Sequence, residues 1–125
     1  MKGISKDAVQ AYLDKFLNKS VYIHLETTTG SYSAHKDEKN MTVVAFIRNA
    51  KVTYHQAKIT GNGPYRVGLK LEDGWIYAEG LTDWAQTNDQ QLLLAGHNGE
   101  GQLAIALQIS EIPFGEIEGV EETEK

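Results

Sequence analysis

From Ser20 onward apolar residues recur at every second position, in short runs separated by turn-forming residues. That is the pattern of half-buried strands in an antiparallel sheet. Val21, Ile23 and Leu25 alternate with Tyr22, His24 and Glu26 before a Thr-Thr-Thr-Gly stretch. Tyr65, Val67, Leu69 and Leu71 alternate with Arg66, Gly68 and Lys70, and Asp73-Gly74 then supplies a strong short hairpin signal ahead of a strand from Trp75 to Leu81. Leu92 to Ala95 and Leu103 to Ile109 form a further pair across Gly96-His97-Asn98-Gly99-Glu100-Gly101, with Leu103, Ile105, Leu107 and Ile109 on one face.

Two segments between these runs read differently. Met41 to Arg48 is almost wholly apolar and rich in β-branched residues, as expected of a central strand covered on both faces. Asn49-Ala50 then marks a tight turn into Lys51 to Thr60, where Val52, Tyr54 and Gln56 face away from Thr53, His55 and Ala57, and Gly61-Asn62-Gly63-Pro64 turns the chain again. Ser31 to Asn40, polar and rich in charge, reads as a surface loop, with a short strand at its start as the alternative. Thr82 to Gln90, polar around Trp84, is open between a loop and a short helical turn.

Only one stretch has helical period. Val9, Tyr12, Leu13, Phe16 and Leu17 fall at i, i+3, i+4, i+7 and i+8, with Ser5 or Asp7 available as cap, so an amphipathic helix is expected from about Lys6 to Asn18. The connections are too short to hide crossover helices, so the strands must pair mainly antiparallel. The fold class is therefore mainly β (α+β): a curled sheet or open barrel of about seven strands, capped by the N-terminal helix.

At 125 residues the chain fits one domain that buries roughly two-thirds of its unfolded surface. We place that domain at 1–115 and a flexible tail at 116–125, where Glu116, Glu118, Glu121, Glu122 and Glu124 carry most of the net charge of −5. The near-neutral body lacks the basic footprint of a nucleic-acid binder. The absence of cysteine excludes disulfides, thiolate nucleophiles and sulfur-ligated metals. No apolar run is long enough for a signal sequence or a bilayer span, so a cytoplasmic location is expected, without nucleic acid or membrane as partner.

Several segments taken together, Val21 to Thr28, Ala45 to Lys51, Gly63 to Trp75, Tyr77 to Leu81 and Leu92 to His97, resemble the YojF family of small uncharacterised proteins from Gram-positive bacteria. The resemblance runs from Val21 to Phe114. It implies a small β-rich protein, a homodimer, often encoded beside a zinc-dependent deacetylase that resembles the enzyme of bacillithiol synthesis. It supplies no catalytic motif to carry over.

The candidate ligand-binding residues are His24, Glu26, Tyr65, Arg66 and Glu79. His24 and Glu26 lie two apart on one strand face, where an imidazole beside a carboxylate can form an acid–base pair or part of a metal site; a solvated strand face with a local hydrogen bond is the plainer reading. Gly61 to Arg66 could cradle an anion, with Arg66 as a bidentate donor, or be a turn between strands. Arg66 and Lys70 share a face and could equally pair with Glu79 on the hairpin partner. No nucleophile elbow and no close histidine ligand spacing occurs, so no catalytic residue, metal or cofactor is assigned. The expected function is a non-catalytic binding or accessory module; a small hydrolase or metal-dependent enzyme built around His24 and Glu26 is the alternative.

Overall fold

A computed structural model describes residues 1–28, 43–88 and 90–115. The expected Ser31 to Asn40 loop and the acidic tail 116–125 lie outside them. Among the described residues the elements run β1 (Lys2–Gly3), α1 (Lys6–Lys15), β2 (Ser20–Thr28), β3 (Val43–Thr53), β4 (Gln56–Gly61), β5 (Tyr65–Lys70), β6 (Trp75–Leu81), β7 (Asp83–Asn88), β8 (Gln91–His97) and β9 (Leu103–Ser110). They build a six-stranded sheet in the order β1-β7-β8-β9-β2-β3 and a three-stranded sheet β4-β5-β6, both antiparallel and neither closed into a barrel.

The helix forms where its stripe predicts. Ser5 caps it, its hydroxyl accepting from the Ala8 N–H at 3.4 Å, and Val9, Leu13 and Phe16 are fully buried. The regular helix stops at Lys15, earlier than Asn18, because a tighter turn follows and Asn18 takes a left-handed φ of 63°. The helix lies on β4. The core between the sheets takes Val21 and Ile23 from β2, Leu92 and Leu94 from β8, and Ile105, Leu107 and Ile109 from β9 on one side, and Ile59, Val67, Leu69, Ala78 and Leu81 on the other. Burial of this kind is worth roughly 25 cal/mol per Å² of apolar surface, the main term holding the layers together.

The hairpins at Gly61–Pro64, Asp73-Gly74 and Gly96–Gly101 are where the turn residues place them. At Asp73-Gly74 the Leu71 N–H donates to the Gly74 carbonyl at 2.6 Å and Lys70 pairs with Trp75.

Four expectations are corrected. There are nine strands among the described residues rather than about seven. β3 is the edge strand of its sheet, with Ala45, Phe46 and Ile47 exposed, where a doubly covered central strand was expected; a short apolar run alone does not reveal strand order. Asn49-Ala50 is no turn: Ile23 pairs with Ala50 and Leu25 with Ile47, so Arg48 and Asn49 together oppose His24 in a β-bulge, and Asn49 takes a φ of 54°. The chain turns later, at Tyr54-His55, where it leaves one sheet and starts the other; the alternation slips there, so Tyr54 is buried and Gln56 exposed.

The fourth is Thr82 to Gln90, which is mostly strand β7, with Trp84 on its buried side. Thr82 is the second corner at which the chain changes sheet. Leu103 starts β9 on the face it shares with Ile105, Leu107 and Ile109 and is 39% exposed.

Candidate functional site

The β3 bulge assembles a polar cluster on the outer face of the six-stranded sheet. His24 follows core residue Ile23 and so points outward, yet it is only 7% exposed. Its ring stands edge-on to Phe46 at 5.2 Å and to Phe114 at 6.2 Å. The Arg48 guanidinium lies 3.2 Å from His24 Nδ1, and Glu26 Oε1 lies 3.2 Å from Nε2.

A guanidinium can only donate, so Nδ1 must be the acceptor and Nε2 must carry the proton donated to Glu26. Both ring nitrogens are then occupied. Arg48 also donates to the Gly115 carbonyl and lies over the Phe114 ring, 5.3 Å from its centroid. Asn49 completes the clamp: its Oδ1 accepts from the Phe114 N–H at 2.8 Å and its Nδ2 donates to the Phe114 carbonyl at 3.2 Å. The bulge thus ties residues 114–115 across His24, whose two ring nitrogens both have partners within the chain.

A second cluster occupies the outer face of the three-stranded sheet. Arg66 Nε and Nη2 reach Glu79 Oε2 at 2.9 and 2.5 Å across the β5–β6 pair, as their facing positions predict. The Trp75 and Tyr77 rings are stacked, with centroids 5.4 Å apart and planes 8° apart. Lys70 Nζ lies 5.4 Å from the Trp75 ring and the Arg66 guanidinium 5.1 Å from that of Tyr77. Gly68 makes room for this ladder, because a Cβ there would come within 2.8 Å of the Tyr77 ring. Trp75 and Tyr77 are nevertheless 43% and 50% exposed.

Of the sequence candidates, then, the structure joins His24 with Glu26 and Arg66 with Glu79, and sets the two pairs on different sheets. Both point away from the shared core. Tyr65 opens β5, opposite Gly61 and Leu81, half-buried against the core rather than beside Glu79. Arg48 and Asn49 were missed as site residues because their roles depend on the bulge. The Trp75–Tyr77 stack is legible in the sequence from their spacing, two apart on the strand that follows Asp73-Gly74.

A third group forms at the Thr82 corner. The Thr82 hydroxyl donates to Asp83 Oδ1 at 2.6 Å, and His97 Nδ1 lies 3.3 Å from the same oxygen. The Thr82 hydroxyl, and secondarily His97, hold the Asp83 carboxyl below its ordinary value. Among the described residues no three His, Asp or Glu side chains gather as metal ligands, and no helix is long and apolar enough to cross a membrane.

These features define a small two-sheet antiparallel protein with two side-chain-rich outer faces. The chain belongs to a family described as a protein of unknown function, DUF1806, whose pattern matches residues 3–114. Among its relatives is the uncharacterised protein YojF of Bacillus subtilis (strain 168), 70% identical over 114 residues that make up 91% of this chain and 98% of that one. The crystal structure of Bacillus subtilis YojF superimposes with a TM-score of 0.79 over 92% of this chain and 97% of the other, at 60% identity.

Proposed function

We propose that this protein is a non-catalytic, cytosolic binding module, acting as a homodimer and as accessory to a zinc-dependent deacetylase of the bacillithiol type, which it docks through the outer face of β4-β5-β6. The observation that carries the docking face is the exposed Lys70–Trp75–Tyr77–Arg66 ladder. Its ring faces are already engaged by one another and by the two cations, so it offers the solvent ring edges and cationic stems. Such a surface suits the flank of a protein better than the stacking of a sugar or a base, and Trp, Tyr and Arg are the residues that most often anchor protein interfaces. The choice of enzyme rests on the resemblance to the YojF family. The occupied nitrogens of His24 support a non-catalytic role.

The test is titration calorimetry of the purified protein against that deacetylase. We expect micromolar or tighter binding, weakened by at least about tenfold in a Trp75→Ser/Tyr77→Ser double variant whose circular dichroism is unchanged. The protein alone should leave the acetylated intermediates of the pathway intact, and light scattering should give the mass of two chains. Absence of binding to the deacetylase at micromolar concentration removes that partner.

A further inference from the structure

The sequence contains two Asn-Gly pairs in turns, Asn62-Gly63 and Asn98-Gly99, and the fold treats them oppositely. We propose that Asn62 is a site of spontaneous deamidation and isoaspartate formation, while Asn98 is protected by the loop around it.

The chemistry needs no catalyst. The main-chain nitrogen of the residue after an asparagine attacks the side-chain Cγ; the Cγ–Nδ2 bond breaks, and ammonia leaves with the proton that the main-chain amide gives up. The product is a five-membered cyclic imide. Water then opens it at either carbonyl, giving aspartate or isoaspartate, so the net change is one water consumed and one ammonia released. Glycine in the following position favours the attack because it has no Cβ to obstruct the ring closure, and its wide φ/ψ range lets the nitrogen approach. A side-chain amide and a main-chain N–H free of other bonds are the remaining requirements.

Both are met at residue 62. Asn62 and Gly63 are exposed between β4 and β5, and neither the Asn62 side chain nor the Gly63 N–H makes a hydrogen bond among the described residues. The space beside Gly63 is open: a Cβ there would meet nothing nearer than the Tyr65 ring at 4.0 Å.

Asn98 is held at every side-chain polar atom. Its Oδ1 accepts from the Glu100 N–H at 2.9 Å and the Gln102 N–H at 3.0 Å, and its Nδ2 donates to Gln102 Oε1 at 2.9 Å. Its own N–H and carbonyl are also bonded, to Gln102 and Gly101. Attack on Cγ requires these side-chain bonds to open together. Three hydrogen bonds of ordinary net strength correspond to about a hundredfold slower reaction.

The modification would act on the hairpin. Isoaspartate inserts one extra carbon into the main chain between Gly61 and Tyr65, the facing pair that closes the β4–β5 ladder, and adds a negative charge to the turn. The Gly61 end has little slack, since a Cβ there would lie 2.8 Å from the Pro64 carbonyl oxygen.

The test is to incubate the full-length protein at mildly alkaline pH and body temperature and follow both peptides by mass spectrometry, with enzymatic methyl transfer to isoaspartate as a second readout. In folded protein the Asn62 peptide should convert about a hundredfold faster than the Asn98 peptide, and an Asn62→Gln variant should lose the fast phase. In urea the two should convert at similar rates, because only the fold distinguishes them. A folded-state ratio below about tenfold overturns the proposal, as does a ratio that survives unfolding.

Discussion

The Tyr54 hydroxyl donates to the Leu13 carbonyl at 2.6 Å, deep in the core, and joins the last turn of α1 to the corner where the chain passes from one sheet to the other. The Asn18 N–H returns the link by donating to the Tyr54 carbonyl at 2.9 Å. Tyr54→Phe keeps the ring but leaves the Leu13 carbonyl with only the longer bond from the Phe16 N–H, at 3.2 Å, so urea unfolding should show a loss of about 1 kcal/mol; Tyr54→Ala, which also opens a cavity, should lose about 3–5 kcal/mol.

The same residue sets an alkaline limit. Burial, with a smaller contribution from the Asp14 charge, pushes the Tyr54 phenol well above its ordinary range. A raised folded value means that the stability it carries is complete below about pH 10, where unfolded tyrosine ionises, and is lost as the pH rises beyond that. The wild-type urea midpoint should fall above pH 10, and Tyr54→Phe should lose this component of the fall.

Asp83 titrates with the opposite sign. Its carboxyl is held low by the Thr82 hydroxyl first and by His97 as well, so its contribution is complete above about pH 4 and fades as the pH drops through the lowered folded value. In Thr82→Val this contribution should shrink. The wild-type and variant stability curves should differ at neutral pH and converge in acid; parallel curves would show that the Thr82 hydroxyl does not act through Asp83.

Gly96 and Gly74 make a sharp pair. A Cβ on Gly96 would sit 2.0 Å from the Gly80 carbonyl oxygen and 2.7 Å from the Ile105 side chain, in a place where the β6 and β8 backbones nearly touch. Gly96→Ala should cost about 3 kcal/mol or more, or fail to fold. A Cβ on Gly74 would meet nothing within 4 Å, and Gly74→Ala should stay within about 0.5 kcal/mol of wild type in thermal melts.

The clamp on Phe114 can be separated from the strain beneath it. Asn49→Gly removes the two side-chain bonds to Phe114 but suits the left-handed φ; Asn49→Ala removes the bonds and keeps the strain. Alanine should therefore be the worse replacement by about 1 kcal/mol. Hydrogen exchange at Phe114 should speed up in both variants.

What could be read from the residues was whatever depends on near neighbours. The helix stripe from Val9 to Phe16, the Asp73-Gly74 hairpin and the Arg66–Glu79 pairing all follow from local spacing, and all are present. What escaped depends on strands far apart in sequence. Whether Phe46 is covered is decided by the order of strands in the sheet, and an asparagine such as Asn49 favours a left-handed backbone equally in a turn and in a bulge. The clamp over His24 joins residues 24, 48, 49, 114 and 115, a set that no periodicity brings together.

The order β1-β7-β8-β9-β2-β3 also governs when the molecule can form. β9 lies between β8 and β2, so an early strand waits for a late one, and the six-stranded sheet cannot be completed until Ser110 has left the ribosome. By contrast β4, β5 and β6 are consecutive hairpins that can pair while synthesis continues. During that interval β2 and β3 have their mutual pairing but no β9, leaving the backbone edge of β2 from Tyr22 to Thr27 without the strand that later pairs with it. A nascent chain stalled before β9 should thus be the form most exposed to aggregation and most dependent on chaperones.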